Sequence, residues 1–190
     1  IGYLLVMTLP TVNEYMTMIQ GKTGALIHAA CAIGAIVAGA SVDRVSALGN
    51  FGALLHAVAR DPAMLVYLDN AGSRRQAPNE NFAREVMELF TLGEGHYGEH
   101  DVKEAARAFT GWSLDRDTGE FVFRRAWHDA GEKTVLGRTG RLDGAAVLDL
   151  LLDHPRTAEH VAAKRWREFV SPVPDAAEVK RLGAVFRGAR

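Results

Sequence analysis

The sequence predicts a mainly α-helical fold, a multi-helix domain with one small β-hairpin near residues 112–125. Three observations carry this. Apolar residues recur at helical spacing over most of the chain. Aspartate, asparagine, proline and glycine punctuate those runs where helices start and stop. Strict alternation appears in one place, at Phe121 and Phe123 after the turn residues Asp115-Arg116-Asp117-Thr118-Gly119.

Taken in order, Thr11–Ala40 reads as helix, with Val12, Tyr15, Met16 and Ile19 and then Leu26, Ile27, Ala30, Ile33 and Val37 on stripes. Gly21 and Gly24 mark a break between the two parts. Val42–Ala59 is a second helical pattern, striped by Val45, Leu48, Phe51, Leu55 and Val58. Asp61-Pro62 starts a short apolar helix to Leu68: the aspartate caps, and the proline sits where its missing N–H does no harm. Asn70–Ala77 is a polar loop. Pro78-Asn79 opens the strongest helix, with Asn79 as N-cap, Phe82, Val86, Leu89 and Phe90 as its apolar stripe, and Gly93 as its stop. Asp101–Phe109 is the next helix. After the hairpin, Val135-Leu136 adds a short strand, and helices follow at Asp143–Leu152, Arg156–Val170 and Ala176–Phe186.

Composition narrows the function classes. Of 190 residues, 48% are hydrophobic and 24% charged, which suits a folded globular chain and not a disordered one. The formal net charge of -1 points away from nucleic acid as a partner. Lys164, Arg165 and Arg167 form one short basic run, read as a solvated face. Cys31 is the one cysteine, so an intramolecular disulfide and a cysteine-cluster zinc site are both excluded. The Ala- and Gly-rich run Gly24–Ala40 has 17 residues and contains His28. It is too short and too small-sided to be a transmembrane segment, and reads as a close-packed helix.

Gly21-Lys22-Thr23 looks like the end of a P-loop, but Met16 occupies the position of the first glycine and the flanks are helical. On the helix after Asn79, the residues Asn81, Arg84, Glu85 and Glu88 share one face. The plain reading is a stripe of i, i+4 ion pairs, Glu80–Arg84 and Arg84–Glu88. The functional reading is a polar site that includes Glu85 and Glu88. Trp127-His128-Asp129, in a loop with Gly131 and Lys133, supplies a histidine beside a carboxylate, a pair suited to base, metal or phosphate chemistry. One such pair lacks the further ligands of a zinc or iron site. The functional reading has Glu85, Glu88, His128 and Asp129 converging near Arg84 and Asn81. Trp112, Trp127 and Trp166 read as core or groove aromatics.

Two resemblances join these residues. Ala57-Val58-Ala59-Arg60-Asp61-Pro62, Asn79-Glu80-Asn81-Phe82-Ala83-Arg84-Glu85, Glu88-Leu89-Phe90-Thr91-Leu92-Gly93, Ala105-Ala106-Arg107-Ala108-Phe109-Thr110-Gly111-Trp112, His128-Asp129 and Lys164-Arg165-Trp166-Arg167-Glu168-Phe169-Val170 follow one another at a characteristic spacing. From about residue 51 to 186 the chain resembles the large bacterial family known as domain of unknown function number eighteen hundred. That resemblance implies an uncharacterised helical protein, without an assigned activity, metal- or anion-binding, and exported or periplasmic. Before it, Leu9-Pro10-Thr11-Val12-Asn13-Glu14-Tyr15, Gly21-Lys22-Thr23-Gly24 and Leu48-Gly49-Asn50-Phe51-Gly52 resemble a fragment of a trans-isoprenyl diphosphate (polyprenyl) synthase. This implies diphosphate contacts from Lys22 and Thr23, magnesium as cofactor and a cytoplasmic location. The aspartate-rich magnesium clusters of that chemistry are missing from the sequence, so the fragment is expected to be inactive. The division is therefore expected at 1–50 and 51–190, in a chimeric or truncated chain. A non-catalytic helical scaffold is the third reading.

Overall fold

The structure, a computed structural model, describes residues 50–188. The helical patterns expected before Asn50, together with Lys22, Thr23 and Cys31, lie outside the described residues. From Phe51 onward the described residues form one compact unit.

Helix α1 spans Phe51–Ala59 and buries Leu55 and Ala59. Helix α2 spans Pro62–Tyr67, and Asp61 caps it as the sequence predicts, accepting the Ala63 N–H at 2.9 Å. The polar loop that follows contains a 3-10 turn, Asn70–Gly72. Helix α3, Glu80–Glu85, starts on Asn79, whose side chain accepts the Phe82 N–H at 3.1 Å and donates to the Leu68 carbonyl at 2.8 Å. Helix α4 is Glu99–Phe109. Asp101 ties its first turn down twice, accepting Gly98 N–H at 2.9 Å and Leu136 N–H at 2.8 Å. Helices α5 (Gly144–Asp153), α6 (Pro155–Phe169) and α7 (Ala176–Gly188) complete the domain.

The expected hairpin is present: β1, Trp112–Leu114, pairs antiparallel with β2, Phe121–Phe123. A second hairpin joins β3, Lys133–Val135, to β4, Arg138–Gly140. The single strand expected at Val135-Leu136 is thus extended and partnered. Its two-residue turn, Leu136-Gly137, has φ values of 49° and 76°, the left-handed pair that a right-twisted hairpin requires.

One expectation about the core is corrected. Phe82 and Val86 are buried, but Leu89 is 47% exposed, and Met87, Thr91 and Leu92 are buried instead. The cause is a π-helical continuation of α3 over Val86–Thr91. Its hydrogen bonds reach back five residues, as in Leu92 N–H to the Met87 carbonyl at 2.7 Å. Spacing by five, Val86 to Thr91 and Met87 to Leu92, therefore replaces spacing by three and four on the buried side. Thr91 meets the core because its hydroxyl donates to the Val86 carbonyl at 2.8 Å. The freed Leu89 carbonyl takes Lys164 Nζ at 2.8 Å, and Leu92 takes Arg156 Nε at 3.1 Å. Cations at the carbonyl end of a helix are favourably placed. The basic run at Lys164 is thus partly spent on α3.

The centre of the core is aromatic. Phe82, Phe109 and Trp112 stack edge to face, with centroids 5.0 Å, 5.2 Å and 6.3 Å apart, and Phe121 adds its edge to Trp112 at 5.7 Å. This cluster fixes the first hairpin to α3 and α4.

Candidate functional site

Four of the six nominated residues sit at the two ends of α4. At its start, Arg84 makes a two-pronged bond to Glu99, with both contacts at 2.8 Å. The i, i+4 pairs expected with Glu80 and Glu88 are replaced by this cross-helix pair, because Glu99 offers both oxygens to the guanidinium edge. That bond raises the Arg84 guanidinium further above its ordinary range and holds Glu99 below the usual carboxylate range. Glu88 takes the Tyr97 hydroxyl at 2.5 Å. Burial, reinforced by the Glu88 carboxylate, pushes the Tyr97 phenol from 10.0 up to about 12.

A phenol whose proton is held more tightly in the folded state lends stability below its unfolded pKa. That stability falls as pH rises from 10.0 towards about 12. Ultraviolet titration of tyrosine is expected to show one phenol ionising near 12, moved down in Glu88→Gln. A Tyr97 titration indifferent to Glu88→Gln would contradict the contact.

At the far end of α4 lies a second charged group. Asp129 accepts Arg107 Nε at 2.7 Å and Nη2 at 3.2 Å, and Gly131 N–H at 2.9 Å. Arg107 also meets Glu104 at 2.8 Å, and Glu104 accepts the Thr134 N–H at 2.9 Å. The Arg107 hydrogen bond holds Asp129 low. Burial pulls Glu104 upward, but Arg107 and the Thr134 N–H outweigh it and keep it low. Lys133, 1% exposed, donates its ammonium to the carbonyls of Asp129 and Gly131, and burial lowers its pKa. His128 Nδ1 lies 2.9 Å from the Thr110 carbonyl. A carbonyl only accepts, so Nδ1 carries a proton.

The structure thus brings Arg84 and Glu88 together, and His128 and Asp129 together, and bonds neither pair to the other. Eight residue steps along α4, from Glu99 to Arg107, set the two groups about 12 Å apart along the axis. Asn81 is exposed and Glu85 half-buried, outside both groups. Among the described residues no three His, Cys, Asp or Glu side chains form a metal-binding group.

Beside His128 is a feature that the sequence did not bring out. Trp127 ends a 3-10 turn, Arg125–Trp127. Two guanidinium groups lie over its ring, Arg74 at 4.1 Å and Arg124 at 5.1 Å from the centroid. Arg75 N–H donates to the Trp127 carbonyl at 2.8 Å. Arg124 spends donors on Ser113 Oγ and the Leu114 carbonyl. Arg74, Arg75 and Arg125 are exposed, and among the described residues no carboxylate pairs with them. No local motif marks this face, because Arg74 and Trp127 are far apart in the chain. The one available signal was the clustering of two Arg pairs, Arg74-Arg75 and Arg124-Arg125, in loops.

The model of the family described as "Protein of unknown function (DUF1800)" matches residues 34–190. The match begins upstream of the boundary expected near residue 51. No curated protein and no solved structure matches the chain. The matched stretch contains every helix and both hairpins described above, and the chain belongs to this family of unknown function.

Proposed function

We propose that the domain binds an oxyanion-bearing ligand on the Trp127 face. One observation carries the reading: Arg74 lies over Trp127 at 4.1 Å, exposed, and among the described residues no acid pairs with it. Stacking satisfies the flat face of a guanidinium and fixes its plane, while its N–H edge stays available for a phosphate, sulfate or carboxylate. Arg75 and Arg125 add charge beside it. The Arg107–Asp129 pair serves as a clasp, holding the 125–131 loop against α4 so that Trp127 stays in place. This develops the anion-binding expectation and leaves the metal-binding one without a ligand set among the described residues.

The test is a titration of the intact chain with inorganic phosphate and with a long polyphosphate, followed by tryptophan fluorescence. Binding is expected to weaken with added salt. Arg74→Gln is expected to weaken it about tenfold or more, the usual range for a lost charge-assisted hydrogen bond. An affinity unchanged in the Arg74→Gln/Arg75→Gln double variant would refute the reading.

A further inference from the structure

Asn70 is fully buried, and neither its Oδ1 nor its Nδ2 has a hydrogen-bond partner. It stands alone in this among the described buried polar side chains. Thr91, Thr110 and Thr157 donate to the carbonyls of Val86, Arg107 and Leu151. Ser113 donates to Ala71, Ser73 accepts from Asn79, and Lys133 donates to Asp129. An amide stripped of water and given nothing in return is strongly unfavourable, and a leucine of similar size would avoid the penalty.

The protein groups of the surrounding turn are already committed. The Leu68 carbonyl holds Asn79 Nδ2, the Ala71 carbonyl holds Ser113 Oγ, and the Ser73 carbonyl holds Gly111 N–H. Each of these carbonyls retains a second lone pair. A small molecule that both donates and accepts matches what is left over: a donor for Oδ1, an acceptor for Nδ2, and donors for the spare lone pairs. Water does this, typically with about three hydrogen bonds when buried.

We propose that the Asn70 amide holds at least one permanently buried water molecule inside the fold, at the Asn70–Gly72 turn that packs on β1. The water is a structural ligand of the loop that runs on to Arg74 and Arg75. It stands independently of what the Trp127 face binds.

The experiment is water-to-amide cross-relaxation in nuclear magnetic resonance of the isotope-labelled full chain. The Asn70 side-chain amide is identified by its disappearance in Asn70→Leu. The expected result is a cross-peak between that amide and long-lived water, together with a roughly tenfold rise in the unfolding equilibrium constant of Asn70→Leu. A folded wild-type chain whose Asn70 amide shows no water cross-peak would overturn the proposal, whatever the variant does. So would an Asn70→Leu chain as stable as the wild type or more so, which would mean that the site is dry.

Discussion

Truncating Phe109 to alanine is expected to destabilise the domain by about 4 kcal/mol. Phe109 is fully buried at the end of α4 and touches both Phe82 and Trp112 edge to face. Removing its ring costs the transfer energy of the apolar surface and leaves a cavity that α3 and the first hairpin cannot both close. It also breaks one of the three aromatic contacts that orient Trp112, together with the Phe82–Phe109 contact behind it. Domains of this size are usually stable by about 5–15 kcal/mol, so the loss is a large fraction of the total. Urea unfolding followed by circular dichroism measures it. Phe123→Ala is the control, since that ring is 41% exposed, and a loss below about 1 kcal/mol is expected there. Equal losses at the two positions would mean that the aromatic cluster is not the core.

The second large effect is at Gly111. Its φ is 84°, and a Cβ there would lie 2.8 Å from the Arg124 carbonyl oxygen and 3.1 Å from His128 Cβ. Gly111 also joins three segments: its N–H donates to Ser73, and its carbonyl accepts Arg124 N–H at 2.7 Å. Alanine must therefore push β2 away as well as strain its own backbone, at a cost of about 3 kcal/mol. Because Ser73 precedes Arg74 and Arg124 reaches Trp127, the same change is expected to weaken anion binding. Gly137→Ala separates strain from collision, with a φ of 76° but nothing within 4 Å of a new Cβ. It should cost about 1 kcal/mol. Thermal melts of both variants decide the matter, and indistinguishable melts would rule out the collision.

What could be read in advance divides along physical lines. The caps at Asp61 and Asn79 and the helix stop at Gly93 were legible because each depends on a few neighbouring residues. The first hairpin was legible for the same reason. The second hairpin was only half legible, because its turn places Leu136 where asparagine or glycine is usual. What holds Leu136 there is remote: Asp101 on α4 takes its N–H. The charged stripe on α3 was legible as a stripe, but Arg84 found Glu99, fifteen residues on, and not its own helix neighbours. Likewise the His128-Asp129 pair was visible, whereas the Arg107, Glu104 and Lys133 that surround it depend on tertiary packing. The Arg74–Trp127 contact, assembled from distant loops, left no local motif, only the two Arg pairs at 74–75 and 124–125.

The wide turn at Val86–Thr91 has a bearing on how this chain is compared with its relatives. It accommodates one residue more than an α-helix of the same rise would, yet Gly93 and the Arg156 contact beyond it depend on that surplus. A relative whose helix runs through this stretch without the bulge aligns only with a one-residue gap inside a helix, where gaps are ordinarily penalised. An ungapped alignment there would pair buried Met87 or Leu92 with solvent-facing positions. It would also score Leu89, a surface residue here, as if it belonged to the core.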